Sequence, residues 1–163
     1  MTTEQYRKNV GIVVADKEGK VLMCARADQE DLQWQFPQGG IENGEDITAA
    51  AKRELYEETG ISSVRLVKVM PTTLRYDFPK SAKKRYGGLY KGQEQTWVLF
   101  YFYGQDDEIN FLTNPEEIEF KSFEWVDICE APQRIVVFKK QVYQKVAEYF
   151  AKYLKEDNDE RKI

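Results

Sequence analysis

The chain has 163 residues, a formal net charge of −4 and no histidine. Its length suits one domain with a substantial core, and its composition is that of an ordinary globular protein rich in Tyr and Phe. The acidic balance argues against non-specific nucleic-acid binding over the whole surface. The missing histidine rules out a His-ligated zinc and leaves general-base work to carboxylates.

In chain order, Asn9–Ala15 is a β-branched run, Asp16–Gly19 is turn chemistry and Lys20–Arg26 is a second run, so the pair predicts a hairpin. Gln33–Phe36 alternates polar and aromatic residues until Pro37 stops it. A glycine-rich loop from Gly39 leads into a helix opened by Asp46 and closed by Gly60. Val64–Pro71 and Thr72–Phe78 are two further strands. Lys80–Gly92 is a long loop carrying Lys80, Lys83, Lys84, Arg85 and Lys91, and loops of that length in compact domains are usually functional or mobile. Gln95–Tyr103 is a strong central strand and Phe120–Val126 the last one. Phe138–Leu154 places Val142, Val146, Tyr149, Phe150 and Leu154 at helical spacing. Residues 156–163 are charged and poor in apolar side chains, which predicts a single domain over 1–155 followed by a disordered tail. The order β-β-β-loop-α-β-β-β-β-α predicts an α/β fold, a mixed sheet with helices on its faces.

The first helix carries the anomaly. At about 100° per residue, Glu54, Glu57 and Glu58 share a face with Ile47 and Ala50, with Ala51 and Leu55 beside it. The carboxylates therefore prolong the apolar stripe, while Thr48, Lys52, Tyr56 and Thr59 form the solvent side. Glu54 and Glu58 repel as an i,i+4 pair, and all three acids sit where the helix dipole disfavours anions by roughly 0.3–1 kcal/mol each. Arg53, i,i+4 to Glu57, relieves part of this. A carboxylate cluster at the edge of a core face calls for cations, and hard divalent ions suit oxygen ligands, Mg²⁺ first and Mn²⁺ next.

Cys24 and Cys129 lack metal-type spacing and read as buried or half-buried free thiols of a reducing compartment. The first residues lack the apolar run of a signal peptide, and no segment reaches the length of a membrane span. The expectation is a cytoplasmic protein without membrane contact, a monomer by default.

Gly39, Glu45, Arg53, Glu54, Leu55, Glu57, Glu58, Gly60 and Ile61 fall at the spacing of the Nudix box, and the chain resembles the Nudix hydrolases on every one of them. The resemblance implies an α/β/α sandwich around a central curved mixed sheet. It also implies a divalent metal held by Glu54, Glu57 and Glu58 with the Gly39 carbonyl, against a diphosphate beside Gly40. Glu45 and Arg53 would brace the loop and orient the glutamates. A further carboxylate from outside the motif completes such sites: Glu119 resembles the glutamate of a Pro-Glu-Phe segment, although Ile118 replaces the proline, and Glu116 and Glu117 are rivals. The general base is Glu54 or Glu119.

Tyr6–Gly11, Trp34–Gly40, Tyr76–Pro79, Gly92–Trp97 and Phe138–Tyr143 resemble the branch of RNA pyrophosphohydrolases and asymmetric diadenosine tetraphosphate (Ap4A) hydrolases, with Lys8 where proline is usual. The implied reaction removes pyrophosphate from a 5′-triphosphorylated RNA end; the related one splits Ap4A into ATP and AMP. Both substrates join a nucleoside to several phosphates. The resemblance suggests Arg26, Lys80 and Lys83 as phosphate ligands, and Arg7 and Phe138 at the first nucleotide, where Phe138 either stacks on the base or packs in the core. Gln38 and Tyr76 are further substrate-binding candidates. A non-catalytic nucleotide or RNA sensor is the third reading, and the repulsive carboxylate cluster argues against it.

Overall fold

The computed structural model describes residues 5–79 and 89–161. Among these residues eight strands form one mixed sheet: β1 (Tyr6–Ala15), β2 (Val21–Arg26), β3 (Trp34–Gln35), β4 (Gln38–Gly40), β5 (Val64–Val69), β6 (Leu74–Asp77), β7 (Gly92–Phe102) and β8 (Phe120–Val126). Helices α1 (Ile47–Thr59), α2 (Ala131–Arg134) and α3 (Lys140–Arg161) complete it. The centre is the parallel pair β1 and β7, in register from Tyr6 opposite Gly92 to Ala15 opposite Tyr101. All other pairings are antiparallel.

Period-two alternation sorts the side chains between two cores. Val10, Ile12, Val14, Leu22, Cys24, Val98 and Phe100 face α1, where Ala50, Ala51 and Leu55 meet them. Val13, Ala15, Val21, Met23, Trp97 and Leu99 face α3, where Val142, Tyr143, Val146 and Phe150 pack. Phe36 stacks on Tyr143 with centroids 4.8 Å apart and meets Trp97 edge-on at 5.8 Å. The sheet between two helical layers is the sandwich expected.

The hairpin of β1 and β2 is paired through Ala15 and Val21. Beyond that pair β3 and β4 wedge the strands apart. β3 pairs with β2 through Cys24 and Ala25, and β4 pairs with β1 through Asn9, Val10 and Gly11. The Ile12 amide donates to the Pro37 carbonyl at 2.9 Å between them. The glycine stretch expected as loop thus begins as a strand, because the β1 edge needs partners there.

The first helix follows expectation at both ends. The Asp46 carboxylate accepts from the Ala49 amide at 3.1 Å, and Gly60 turns left-handed at φ 76°. One expected solvent position is overturned: Thr59 is fully buried and its hydroxyl donates to the Leu55 carbonyl at 2.7 Å. That bond satisfies the hydroxyl and lets a polar residue turn inward. A second correction concerns Cys129, which is exposed; Cys24 is buried as expected. The last helix begins after a 3₁₀ turn at Val137–Lys139 and continues past Leu154 to Arg161, over part of the stretch expected as a tail. Lys155, Glu156 and Arg161 are good helix formers, and apolar content does not govern whether a helix already nucleated is propagated. Among the described residues no helix is long and apolar enough to cross a membrane.

Gly11 lies flat beneath Trp97 in the parallel register, and a Cβ there would sit 2.5 Å from the indole ring. Gly11→Ala is expected to cost about 1–3 kcal/mol, the scale of core overpacking, read as a lower midpoint in thermal or urea denaturation. An unchanged midpoint would mean that Trp97 has room to move.

Candidate active site

A cleft of about 900 Å³ opens where β4, the end of α1, the start of β8 and the turn before α3 converge. Lining it are Gly39 and Gly40 with Gln38 on β4; Arg53, Glu54, Glu57 and Glu58 on α1; Arg7 on β1; Arg26 on β2; Tyr76 on β6; Glu119; and Phe138, whereas Glu45 and Lys91 lie outside the lining. Lys80 and Lys83 lie outside the described residues. Of the rivals to Glu119, Glu117 lines the cleft and Glu116 does not.

The floor is set by a close approach. Gly39 and Glu54 are so near that a Cβ on Gly39 would fall inside the Glu54 carboxyl. Glycine is required there because the carboxyl occupies the space a side chain would need. Glu54 also accepts from Arg53 Nη1 at 2.9 Å. Arg53 is clamped by Glu45, whose two oxygens accept from Nε at 2.8 Å and Nη2 at 2.9 Å, and Nη2 reaches the Gly40 carbonyl at 3.1 Å. The Arg53 guanidinium holds the Glu45 carboxyl down to about 2. Glu45 thus ties the loop to the helix, the bracing role expected of it.

Glu58 is 8% exposed, and its Oε1 meets no hydrogen-bond partner. Burial, followed by the neighbouring charges of Glu54 and Glu119, pushes its carboxyl well above the ordinary range, against a backbone hydrogen bond from Gln38. Burial also raises Glu54, and a hydrogen bond between the two carboxyls works against the rise at Glu54 and adds to the rise at Glu58. Glu57 is more open and turns towards Arg53 Nη1 at 3.6 Å. Among the described residues no three acidic or thiol side chains are gathered to hold a metal ion as they stand. The donor set nonetheless fits a hard divalent cation. It is all oxygen, it includes an orphaned buried carboxylate atom, and burial with neighbouring like charge pushes Glu54 and Glu58 above the ordinary carboxylate range.

Glu119 owes its position to a bulge. β2 and β8 shift register between Ala25 and Arg26, and the Ala27 amide then donates to the Glu119 carbonyl at 2.8 Å. Bulges re-aim side chains at sheet ends. Arg26 lines the cleft with its guanidinium held by both oxygens of Asp28, at 3.0 and 2.6 Å. Phe138 is 39% exposed and belongs to neither core cluster, which decides against simple core packing. Its ring lies 5.7 Å from that of Tyr76, and Lys139 Nζ lies 5.4 Å from the Tyr76 ring.

Sequence reasoning passed over Gln93, Gln95, Trp34 and Lys139. Gln93 and Gln95 had a readable signal. They continue the alternation of Trp97 and Leu99 towards the α3 face, so polar residues occupy core positions. Both are buried, at 1% and 3% exposure.

The raised Glu58 carboxyl has a consequence for stability. A group whose folded-state proton affinity is raised stabilises fully below its ordinary value of 4.5 and loses that contribution as pH rises. In metal-free protein, Glu58→Gln is therefore expected to raise the thermal midpoint at about pH 7.5, with the gain shrinking towards pH 4.5. A midpoint lowered at both pH values would show that Glu58 is not held against its charge.

Residues 5–146 match the NUDIX domain. An RNA pyrophosphohydrolase of Bartonella henselae is 41% identical over 160 residues, covering 92% of each chain. Another, from Acidiphilium cryptum, is 38% identical over 96% of each. Nudix hydrolase 26, chloroplastic, of Arabidopsis thaliana is 40% identical over 93% of this chain and 72% of its own. Among solved structures, the E. coli dihydroneopterin triphosphate pyrophosphohydrolase superposes with a TM-score of 0.68 at 21% identity, over 90% of this chain and 99% of that one. A C. elegans Ap4A hydrolase gives 0.62 at 20% identity, over 89% and 98%. At those identities the two structures speak for the fold. A domain match over most of the chain, and relatives near 40% identity along almost its whole length, make the chain a member of the Nudix hydrolase family.

Proposed function

We propose that this Nudix hydrolase removes pyrophosphate from the 5′-triphosphate end of RNA and leaves a 5′-monophosphate. One observation carries the reading: a single cleft joins a carboxylate cluster, with Glu58 buried at its base, to the partly exposed ring of Phe138, which packs against the buried Tyr76. A nucleoside followed by several phosphates needs both. Phe138 offers a stacking surface for a base, backed by the Tyr76 ring, with Lys139 beside it. Arg7 and Arg26 offer charge to phosphate oxygens. The names of the relatives at 38–41% identity support RNA as the substrate.

Attack on a phosphoanhydride needs positioning and relief of negative charge, and four glutamates facing a polyphosphate cannot provide that relief alone. We read Glu54, Glu57, Glu58 and Glu119, with the Gly39 carbonyl, as ligands of Mg²⁺, with Mn²⁺ a substitute. Bound there, the cation supplies Lewis acidity and neutralises phosphate charge. The protein's own groups do the rest. Arg53 and Glu45 fix the helix against β4. Glu54 or Glu119 takes the proton from the attacking water. Phe138 and Tyr76 hold the nucleoside end. Both cysteines are free, which supports a reducing, cytoplasmic setting.

Glu57→Gln should lower kcat at least about a hundredfold, the scale of a lost electrostatic element, and should abolish any rise in thermal midpoint on adding Mg²⁺, with the fold retained. Survival of activity would sink the metal assignment. Phe138→Ala should raise KM and leave the midpoint nearly unchanged; an unfolded variant would restore the packing role. The substrate is tested by comparing kcat/KM for a triphosphorylated RNA oligomer and for Ap4A, with Mg²⁺ present. Faster conversion of Ap4A would replace the RNA reading by that of a dinucleoside polyphosphate hydrolase, and activity on neither would favour a sensor.

A further inference from the structure

Behind the β4 wall lies a hydrogen-bonded chain of amides. Arg7 Nη1 donates to Gln93 Oε1 at 2.9 Å. Gln93 Nε2 donates to the Tyr76 hydroxyl and, at 3.4 Å, to Gln38 Oε1. Gln95 Nε2 donates to the same Gln38 oxygen at 3.3 Å and to Asn9 Oδ1 at 2.8 Å. Gln95 and Asn9 are buried and lie outside the cleft lining, whereas Gln93 and Gln38 border it.

The polarity of this chain is fixed at one end. An amide side chain presents oxygen or nitrogen according to its partners, but a guanidinium can only donate. Arg7 therefore holds the Gln93 oxygen, and the Gln93 amino group must face Tyr76 and Gln38. Gln38 then has to turn its oxygen inward, where Gln95 adds a second donor. Gln95, committed as a donor, takes the Asn9 oxygen as well. The end of the chain shows the cost: Asn9 Nδ2 is a buried donor with no partner. A buried orphan of that kind costs about 1–3 kcal/mol, and the forced direction of the chain accounts for it.

The consequence faces the cleft. With its oxygen held from behind by two donors, Gln38 presents its amino group on the cleft side, where no described residue accepts from it. The next residue is Gly39, packed against Glu54, and the Gln38 backbone amide already donates to Glu58. We propose that Gln38 Nε2 donates a hydrogen bond to a non-bridging phosphate oxygen of the substrate, and that Gln95 is a positioning residue that fixes the Gln38 amide in this orientation. A side-chain donor held one way round by a buried relay selects for phosphate and against groups that present a proton. The inference rests on reading the cleft as a polyphosphate site.

Binding and turnover are measured with the full chain and Mg²⁺. The binding probe is the α,β-methylene analogue of ATP, in which a carbon replaces the bridging oxygen of the bond the proposed reaction breaks, and turnover is followed on triphosphorylated RNA. Gln38→Met keeps the side-chain length and removes the donor; Gln95→Met removes the relay without touching the cleft. Gln38→Met is expected to weaken analogue binding about ten- to a hundredfold, the scale of a hydrogen bond to a charged group, with KM rising more than kcat falls. Gln95→Met should weaken it about three- to tenfold, and the double variant should be no worse than Gln38→Met, because the relay acts through Gln38. Unchanged binding by Gln38→Met overturns the contact. Losses that multiply in the double variant, or a Gln95→Met that lowers the thermal midpoint and leaves binding unchanged, overturn the relay. If Gln95→Met does not fold, Gln95→Glu and Gln93→Met replace it, with the same non-additivity required. Wild-type protein that binds no analogue overturns the polyphosphate reading and this inference with it.

Discussion

The site depends on one steric fact: the Glu54 carboxyl occupies the volume that a side chain at Gly39 would need. That contact locks α1 to β4, and β4 stands where it does because it completes the edge of β1 that β2 has left. The wedge of β3 and β4 is thus a structural solution to unpaired backbone and the floor of the cleft at once. Arg53, held by Glu45 and reaching the Gly40 carbonyl, fastens the same junction from the side.

On that floor the protein keeps charges it would be more stable without. Glu58 is buried with an unpartnered oxygen, and burial and the charges of Glu54 and Glu119 push its carboxyl above the ordinary range. Like charges gathered out of water are costly, and here the cost is offset by the apolar stripe of Ala50, Ala51 and Leu55 packed on the sheet. The same trade recurs on the opposite face. Gln93, Gln95 and Asn9 occupy core positions and satisfy one another at the expense of one orphaned donor. The carboxylate cluster and the amide chain border one cleft, which is where strain serves a purpose.

The cleft gathers chain segments that are remote in sequence. The Tyr143 hydroxyl accepts from the Phe36 amide, tying α3 to the β3–β4 segment and thereby holding the turn with Phe138 near the glycines. The bulge in β2 and β8 brings Glu119 in from the other side. Polyphosphate chemistry needs carboxylates, cations and an aromatic surface within one substrate length, and no single element of this size carries all three.

Much of this was legible in the residues alone. Asp46 and Gly60 bounded the helix, because capping depends on the side chain or backbone freedom of one residue. The placement of Glu54, Glu57 and Glu58 on the core side followed from helical periodicity, which is local. Alternation assigned the strands. Tertiary structure decided what local rules do not carry. Thr59 turned inward because the Leu55 carbonyl was available to it. Gln38–Gly40 became a strand because an unpaired edge lay beside it. Phe138 was left at the cleft because the helix stripe was filled by Val142, Val146 and Phe150. The direction of the amide chain was set by Arg7, 86 positions from Gln93. Periodicity reports which face a residue shares with its neighbours in sequence; register and pairing between distant strands determine what it meets there.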